Sequence, residues 1–356
     1  MVFFSKSYVL LLLFAVYGVI VSMDFGGEIN HQVYRFLLLV LEAYLLSFLF
    51  LSAYLNIFKK DLQYIYKIVF ISIAFQSVLV VLSFLNGSIF SIMNTLAPLG
   101  QNNFDENSFR IYRGLSNSSG SGYSTTLSIG GLLALYFFSI TNNKKYIICL
   151  LPIFLATAIN GRTGVLLILM FIAIYSYMFS ENGKFIKNFL VGLALIIVSQ
   201  IAVSYFFSQN AKSNSISEWY GQAFEIFDED KKGGQDMNSF TEGHLFFPKS
   251  TSDLLFGAGF DTDDYANGMG SDSGMIKNVF SFGLPITILF YFIFFRKIKN
   301  SDKSGSKHEK LLTIGLLLLM FIGELKEPFL MKTFLSKFLF IVVIGRNKIF
   351  KNKMIF

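Results

Sequence analysis

Apolar residues along this chain fall into long unbroken runs separated by short polar breaks, without the alternation of strands or the one-sided stripe of a soluble helix. A membrane-crossing helix needs roughly 20 mainly apolar residues. Ten segments approach or meet that length: Tyr8 to Met23, Val33 to Ile57, Tyr66 to Leu85, Tyr123 to Ile140, Tyr146 to Ile159, Gly164 to Phe179, Phe185 to Phe207, Met275 to Phe295, Leu311 to Gly323 and Phe329 to Ile344. The fifth, ninth and tenth are short. In the first, Lys6 precedes the apolar core as in a signal peptide, but no convincing small-residue cleavage site follows Met23, so a retained helix is expected. The pattern predicts an all-α fold, a polytopic transmembrane helical bundle of about ten spans, with residues 1–356 forming one polytopic membrane domain.

Lysine and arginine give this threading an orientation, because cytoplasmic loops carry them in excess. Lys59, Lys60 and Lys67 fall in one loop, Lys144 and Lys145 in a second, Lys184 and Lys187 in a third. Arg296, Lys297, Lys299, Lys303, Lys307 and Lys310 fill a fourth. These are alternate loops, and Lys6 with Arg346, Lys348, Lys351 and Lys353 marks the two ends. Both termini are therefore expected in the cytoplasm, which needs an even number of spans. Two long polar segments are left outside, residues 86–122 and 208–274. Functional residues are expected there. The second holds the one tryptophan, Trp219, in an amphipathic stretch from Ser217 to Phe227 that reads as a helix on the membrane surface. Ser116 to Ser121 reads as a flexible connector, and no internal repeat is present.

Composition sharpens this picture. Of 356 residues 53% are hydrophobic and only 15% charged, and the mean hydropathy is +0.56, which excludes disorder and an ordinary soluble domain. A net charge of +7 would suggest nucleic acid for a soluble protein, but here the basic residues sit in short loops where they serve topology, so no nucleic-acid partner is expected. The single cysteine, Cys149, lies in an apolar run and offers neither a disulfide within the chain nor a thiolate metal cluster.

Topology does not explain the outer cations Arg110, Arg113 and Arg162. Arg162 sits in the turn Asn160-Gly161-Arg162-Thr163-Gly164 between two apolar helices. Drawn to the bilayer centre, an arginine costs on the order of 2.5 to 3.5 kcal/mol, and its planar fork suits a pair of phosphate oxygens. Snorkelling to lipid headgroups is the competing explanation. Arg110 and Arg113 lie three residues apart, so a helical turn would present both guanidiniums on one face, a pair that fits a pyrophosphate. A plain surface loop explains them equally well.

In the longer outer segment His244 is the one histidine and a candidate general base, against the ordinary reading of a solvated loop residue. Gly257 and Gly259 lack the third glycine of a dinucleotide site. Asp261, Asp263, Asp264 and Asp272 have some calcium-loop spacing, but Tyr265 and Ala266 stand where a ligand and a glycine belong, so no metal site is expected. Asp272 and Lys277, at the start of the eighth span, are substrate-binding candidates, as are Glu324, Lys326 and Glu327 in the outer hairpin Gly323-Glu324-Leu325-Lys326-Glu327-Pro328-Phe329. Those three charges either neutralise one another or mark a substrate path. Glu42 and Lys337, nearer mid-helix, suggest an ion pair across the bundle.

Taken in order, these features resemble the Wzy-type O-antigen and capsular repeat-unit polymerases of bacterial surface polysaccharide synthesis, over nearly the whole chain. The likeness rests on Arg110 to Gly122 leading into Tyr123-Ser124-Thr125, the turn at Arg162, and the long outer loop. It continues through Leu255-Phe256-Gly257-Ala258-Gly259 with Ser271-Asp272-Ser273-Gly274, and Glu324 to Phe329. The resemblance implies a multi-pass protein of the cell (inner) membrane that transfers a growing glycan from undecaprenyl pyrophosphate to the next lipid-linked repeat unit on the outer face. It implies no metal, cofactor or nucleotide sugar; the partners are the undecaprenyl-pyrophosphate-linked oligosaccharide, membrane lipid, a chain-length regulator and a flippase. Arg110, Arg113 and Arg162 would stabilise the developing charge, and His244 would take the acceptor proton. The repeated Arg and Gly spacing of some members is missing. An O-antigen ligase is the nearest alternative, kept open by His244. A polysaccharide flippase or other transporter is a further one, disfavoured in the sequence because neither inverted repeats nor broken helices are visible. A structural scaffold is disfavoured by the costly arginines.

Overall fold

A computed structural model describes residues 6–26, 28–58, 61–97, 111–116, 120–180, 246–259, 270–302, 305–331 and 333–353. The expected seventh span, the stretch from Ser217 to Phe227, and the candidates Arg110, His244, Asp261, Asp263 and Asp264 lie outside these residues. Among the described residues every regular element is helical. Among the described residues four helices are long and apolar enough to cross a membrane: Lys6–Asp24, Leu62–Leu85, Gly122–Thr141 and Arg162–Phe179. Large apolar side chains stay uncovered along them, including Leu13, Ile20, Ile71, Phe75 and Leu166. In water such surface would be costly; against lipid it is matched to its solvent.

The chain divides into two compact units. The first comprises residues 1–62, 233–304 and 320–356. Its helices are α1 (Lys6–Gly26), α2 (His31–Leu38) and α3 (Leu45–Ala53), with π-helical segments Leu39–Tyr44 and Tyr54–Phe58 after α2 and α3. The expected second span is thus one helical run in which two wide turns interrupt the regular ladder. The unit also holds a short helix at Thr251–Phe256, then Gly274–Phe282, Leu284–Ser301, the last turns of Lys307–Lys326 and finally Thr333–Lys353.

An aromatic seam holds this unit together. Tyr8 stacks on Tyr44 at 4.6 Å, Tyr44 meets Phe340 at 5.5 Å, and Phe340 meets Phe294 at 5.7 Å. Phe294 packs on Phe290 at 4.9 Å, which reaches Phe36 at 5.2 Å, and Phe36 reaches Phe282 at 5.0 Å. Tilted and edge-on ring pairs add about 0.5–1.5 kcal/mol each beyond their buried area. Glu42 and Lys337 lie on two elements that pack together, the π-helical Leu39–Tyr44 and the last helix.

The second unit comprises residues 63–232 and 305–319. It contains α4 (Leu62–Leu85) apart from its first residue, α5 (Gly87–Leu96), α6 (Gly120–Thr141), α7 (Lys145–Asn160) and α8 (Arg162–Phe179). The remaining helices are α9 (Thr251–Phe256), α10 (Gly274–Phe282), α11 (Leu284–Ser301), α12 (Lys307–Lys326) and α13 (Thr333–Lys353), with Lys307 to Leu319 of α12 in this second unit. α6 is its centre: Leu127, Ile129, Leu132, Leu133, Ala134 and Tyr136 are buried, with α7 and α8 packed against it. Glycines allow the close approach. A methyl on Gly131 would lie 3.0 Å from Ile168 of α8, and one on Gly130 or Gly315 would strike Ile73 or Leu132.

Five expectations change. The eighth span, Met275 to Phe295, is not one helix but two, α10 and α11, broken at Gly283 with φ 79°. A broken helix is thus present where none was expected. The outer segment 86–122 is not all loop, because Asn86 caps α5 through its side-chain oxygen, which accepts from the amides of Ser88 and Ile89. Gly120 and Ser121, assigned to a flexible connector, open α6. Lys67, expected in a loop, lies on the second turn of α4, and α13 runs past Ile344 to Lys353.

Candidate functional site

In the second unit, Tyr112, Arg113 and Gly114 follow Ile111 and are not helical. They are pinned from two sides. Asn160 Nδ2 donates to the Tyr112 carbonyl at 3.1 Å. Gln76 Nε2 donates to the Arg113 carbonyl at 2.7 Å, and the Tyr123 hydroxyl reaches the same oxygen at 3.1 Å. Gly114, at φ 58°, sits where a methyl would press on the Gln76 amide, 2.9 Å away. The Tyr112 ring is gripped edge-on by Phe84 and Phe90, at 5.1 and 5.2 Å.

This arrangement turns Arg113 inward. Its side chain is only 4% exposed and donates from one terminal nitrogen to the Ala97 carbonyl at 2.7 Å. Among the described residues no carboxylate pairs with it, and burial pushes its pKa below the usual arginine value while the neighbouring Tyr123 opposes that shift. The guanidinium lines a shallow cleft with Ser83, Phe90, Met93, Asn94, Ile111 and Gly114.

Arg162 is brought to the same neighbourhood by backbone packing. The Gly164 amide donates to Ser124 Oγ at 3.2 Å, and a methyl on Gly164 would collide with the Ser124 carbonyl and Thr157. α8 therefore starts pressed against the head of α6, one residue after Tyr123. Arg162 is its first residue and half-buried, so its charge stands by the amide end of an 18-residue helix, where anions are favoured. Asn160, at 0% exposure, ties this turn to the Arg113 segment across 48 residues of sequence. Among the described residues no donor reaches its Oδ1.

The first unit gathers the acidic candidates. Ser273 Oγ donates to the Glu324 carbonyl at 3.3 Å, and a methyl on Gly274 would strike the Glu324 carboxylate. The α10 start, with Asp272 and Lys277, is thus joined to the hairpin of Glu324, Lys326 and Glu327. Asp272 is exposed, whereas Lys277, Lys326 and Glu327 are half-buried. Glu324 is fully buried and accepts from the Leu330 amide and, at 2.6 Å, from the Tyr291 hydroxyl. Asn278 Nδ2 donates to that hydroxyl at 2.7 Å, and Gln32 Nε2 donates to Asn278 Oδ1 at 2.8 Å.

Comparison of the chain with family models, with curated proteins and with solved structures gives no match.

Sequence reading missed Gln32, Gln76, Asn278 and Tyr291. Each lies within or beside an apolar run, and a carboxamide or hydroxyl at membrane depth needs a partner, which is the signal that could have found them. Among the described residues no three His, Cys, Asp or Glu side chains converge to hold a metal.

Proposed function

We propose that this chain is a membrane glycosyltransferase that polymerises lipid-linked oligosaccharide repeat units of O-antigen or capsule. It moves the growing glycan from undecaprenyl pyrophosphate to the next lipid-linked unit. In this reading the chain crosses the cell (inner) membrane about ten times with both termini in the cytoplasm, and the heads of α6 and α8 face outward. The observation that carries it is the bond from Asn160 to the Tyr112 carbonyl, which gathers two arginine-bearing segments at one end of a unit built on apolar helices. A diphosphate leaving group at a lipid interface needs preorganised cations where charge develops. Among the described residues the buried Arg113 guanidinium has no carboxylate partner, and such a group is costly until an anion meets it.

Arg162, at the amide end of α8, would grip the diphosphate, with Arg113 supporting from the cleft and Arg110 from the preceding segment. His244 remains the candidate base. Asp272, Lys277, Lys326 and Glu327 would contact the glycan, and Glu324, fully buried behind them, would position its neighbours. The reading calls for no metal or other cofactor. One observation favours a transporter, the helix broken at Gly283 beside a buried carboxylate, since broken helices line transport sites.

The test is deletion of the gene, followed by gel analysis of surface polysaccharide after complementation with wild type or Arg162→Ala. Single-repeat products are expected for the deletion and for Arg162→Ala, with ladders restored by wild type. Normal ladders in the deletion strain would refute polymerisation, and complete loss of surface glycan would favour a flippase or ligase.

A further inference from the structure

The chain of hydrogen bonds from Glu324 to Gln32 has a direction. Because Asn278 Nδ2 donates to the Tyr291 oxygen, the Tyr291 proton is directed to Glu324 Oε2, while the Leu330 amide donates to Oε1. Both carboxylate oxygens accept, and the adjacent amide end of α10 suits a negative charge. Asn278 Oδ1 is then left to accept from Gln32 Nε2. The orientation of both amides follows from this sequence of donors. Two carboxamides in series pass no proton without changing tautomer, so the chain transmits polarity and fixes the far amide, and does not act as a proton wire.

Its far end lacks a donor. Gln32 is 1% exposed, and among the described residues no donor reaches its Oε1. A buried acceptor without a donor is unfavourable unless something completes it. Gln32 stands in the first turn of α2, between exposed His31 and exposed Tyr34, so the orphan oxygen belongs to a residue at the end of a helix. The same helix start is held by Asn30, whose side chain caps Val33 and also donates to the Gly259 carbonyl.

We propose that Gln32 Oε1 is a recognition atom that accepts a hydrogen bond from a sugar hydroxyl of the glycan, with Asn278, Tyr291 and Glu324 as positioning residues that hold the amide in that orientation. The proposal rests on the reading that the chain acts on lipid-linked glycans. It explains why a fully buried glutamate is wired to a neutral amide: the carboxylate fixes which end of the Gln32 amide is presented. In Glu324→Gln the neutral side chain can itself donate to Tyr291, reversing the chain and presenting an N–H where the substrate needs an acceptor.

The experiment uses full-length protein in proteoliposomes and lipid-linked repeat units extracted from cells lacking the gene, with KM and kcat measured for each variant. Gln32→Met and Glu324→Gln are expected to raise KM about tenfold with kcat within about twofold of wild type. A merely structural role would instead lower the folded amount and leave KM of the folded fraction unchanged. If Gln32→Met fails to fold, Gln32→Asn, which withdraws the oxygen by one methylene, carries the same expectation; failure of both to fold assigns the amide a packing role and overturns the proposal. Inactive wild type would bring down the functional reading together with this proposal. Active wild type with an unchanged KM in Gln32→Met would bring down the proposal alone.

Discussion

Asn278 Nδ2 lies 2.7 Å from the Tyr291 hydroxyl although 13 residues of chain separate the two. In a straight helix that separation is about 20 Å of axial rise, beyond the reach of both side chains. The contact exists because α10 ends at Gly283 and α11 starts again in a different direction. At Gly283 a methyl would run into the Leu255 carbonyl and lie 3.0 Å from the Gly257 amide nitrogen. Gly283→Ala should therefore destabilise the purified protein by about 1–3 kcal/mol. Gly305→Ala, at φ 64° with open space around it, should cost less. Thermal melting in detergent compares the two, and equal melting temperatures would contradict the crowded break.

Tyr291→Phe removes one donor from a buried carboxylate and leaves Asn278 Nδ2 without its acceptor. A loss of about 1–3 kcal/mol is expected for each group left unsatisfied. The double variant Tyr291→Phe with Asn278→Leu should be less destabilised than the sum of the two singles, because the partners fall together. Additive melting shifts would show that the two residues do not interact.

The extent of the apolar helices was legible in the sequence, because a run of apolar residues bounded by charge or glycine has few alternatives. Tyr146 to Ile159 is found as Lys145–Asn160, and Gly164 to Phe179 as Arg162–Phe179. The break at Gly283 was not read, since an apolar run says nothing about a change of direction inside it. A signal was nevertheless present in Gly283-Leu284-Pro285, a glycine just past one helix and a proline in the first turn of the next. Likewise Asn86 followed by Ile89, Phe90, Ile92 and Met93 carried the cap of α5 inside a segment whose overall polarity suggested loop. Of the candidate site, the turn at Arg162 was readable as chemistry. The inward rotation of Arg113 was not, because it depends on the Gln76 and Tyr123 bonds to its carbonyl.

Arg162→Lys and Arg162→Ala separate charge from geometry. Alanine should lower elongation about 10²-fold, the loss typical of removing one stabiliser of developing charge. Lysine keeps the charge but loses the planar fork, and should fall between alanine and wild type. Lysine equal to wild type in the extension assay would return Arg162 to headgroup snorkelling.

Asn160→Ala cuts the side-chain bond between the Arg162 turn and the Tyr112 carbonyl. Elongation should fall at least tenfold while the helices persist, measured as shortened ladders together with unchanged helical circular dichroism. Full-length ladders would mean that the two arginine segments need not be held together.

The most direct measurement is extension by the purified chain itself, in proteoliposomes supplied only with lipid-linked repeat units. The account predicts a ladder of longer lipid-linked glycans, with one undecaprenyl pyrophosphate released for each unit added. Units that stay single, with no diphosphate released, would contradict it.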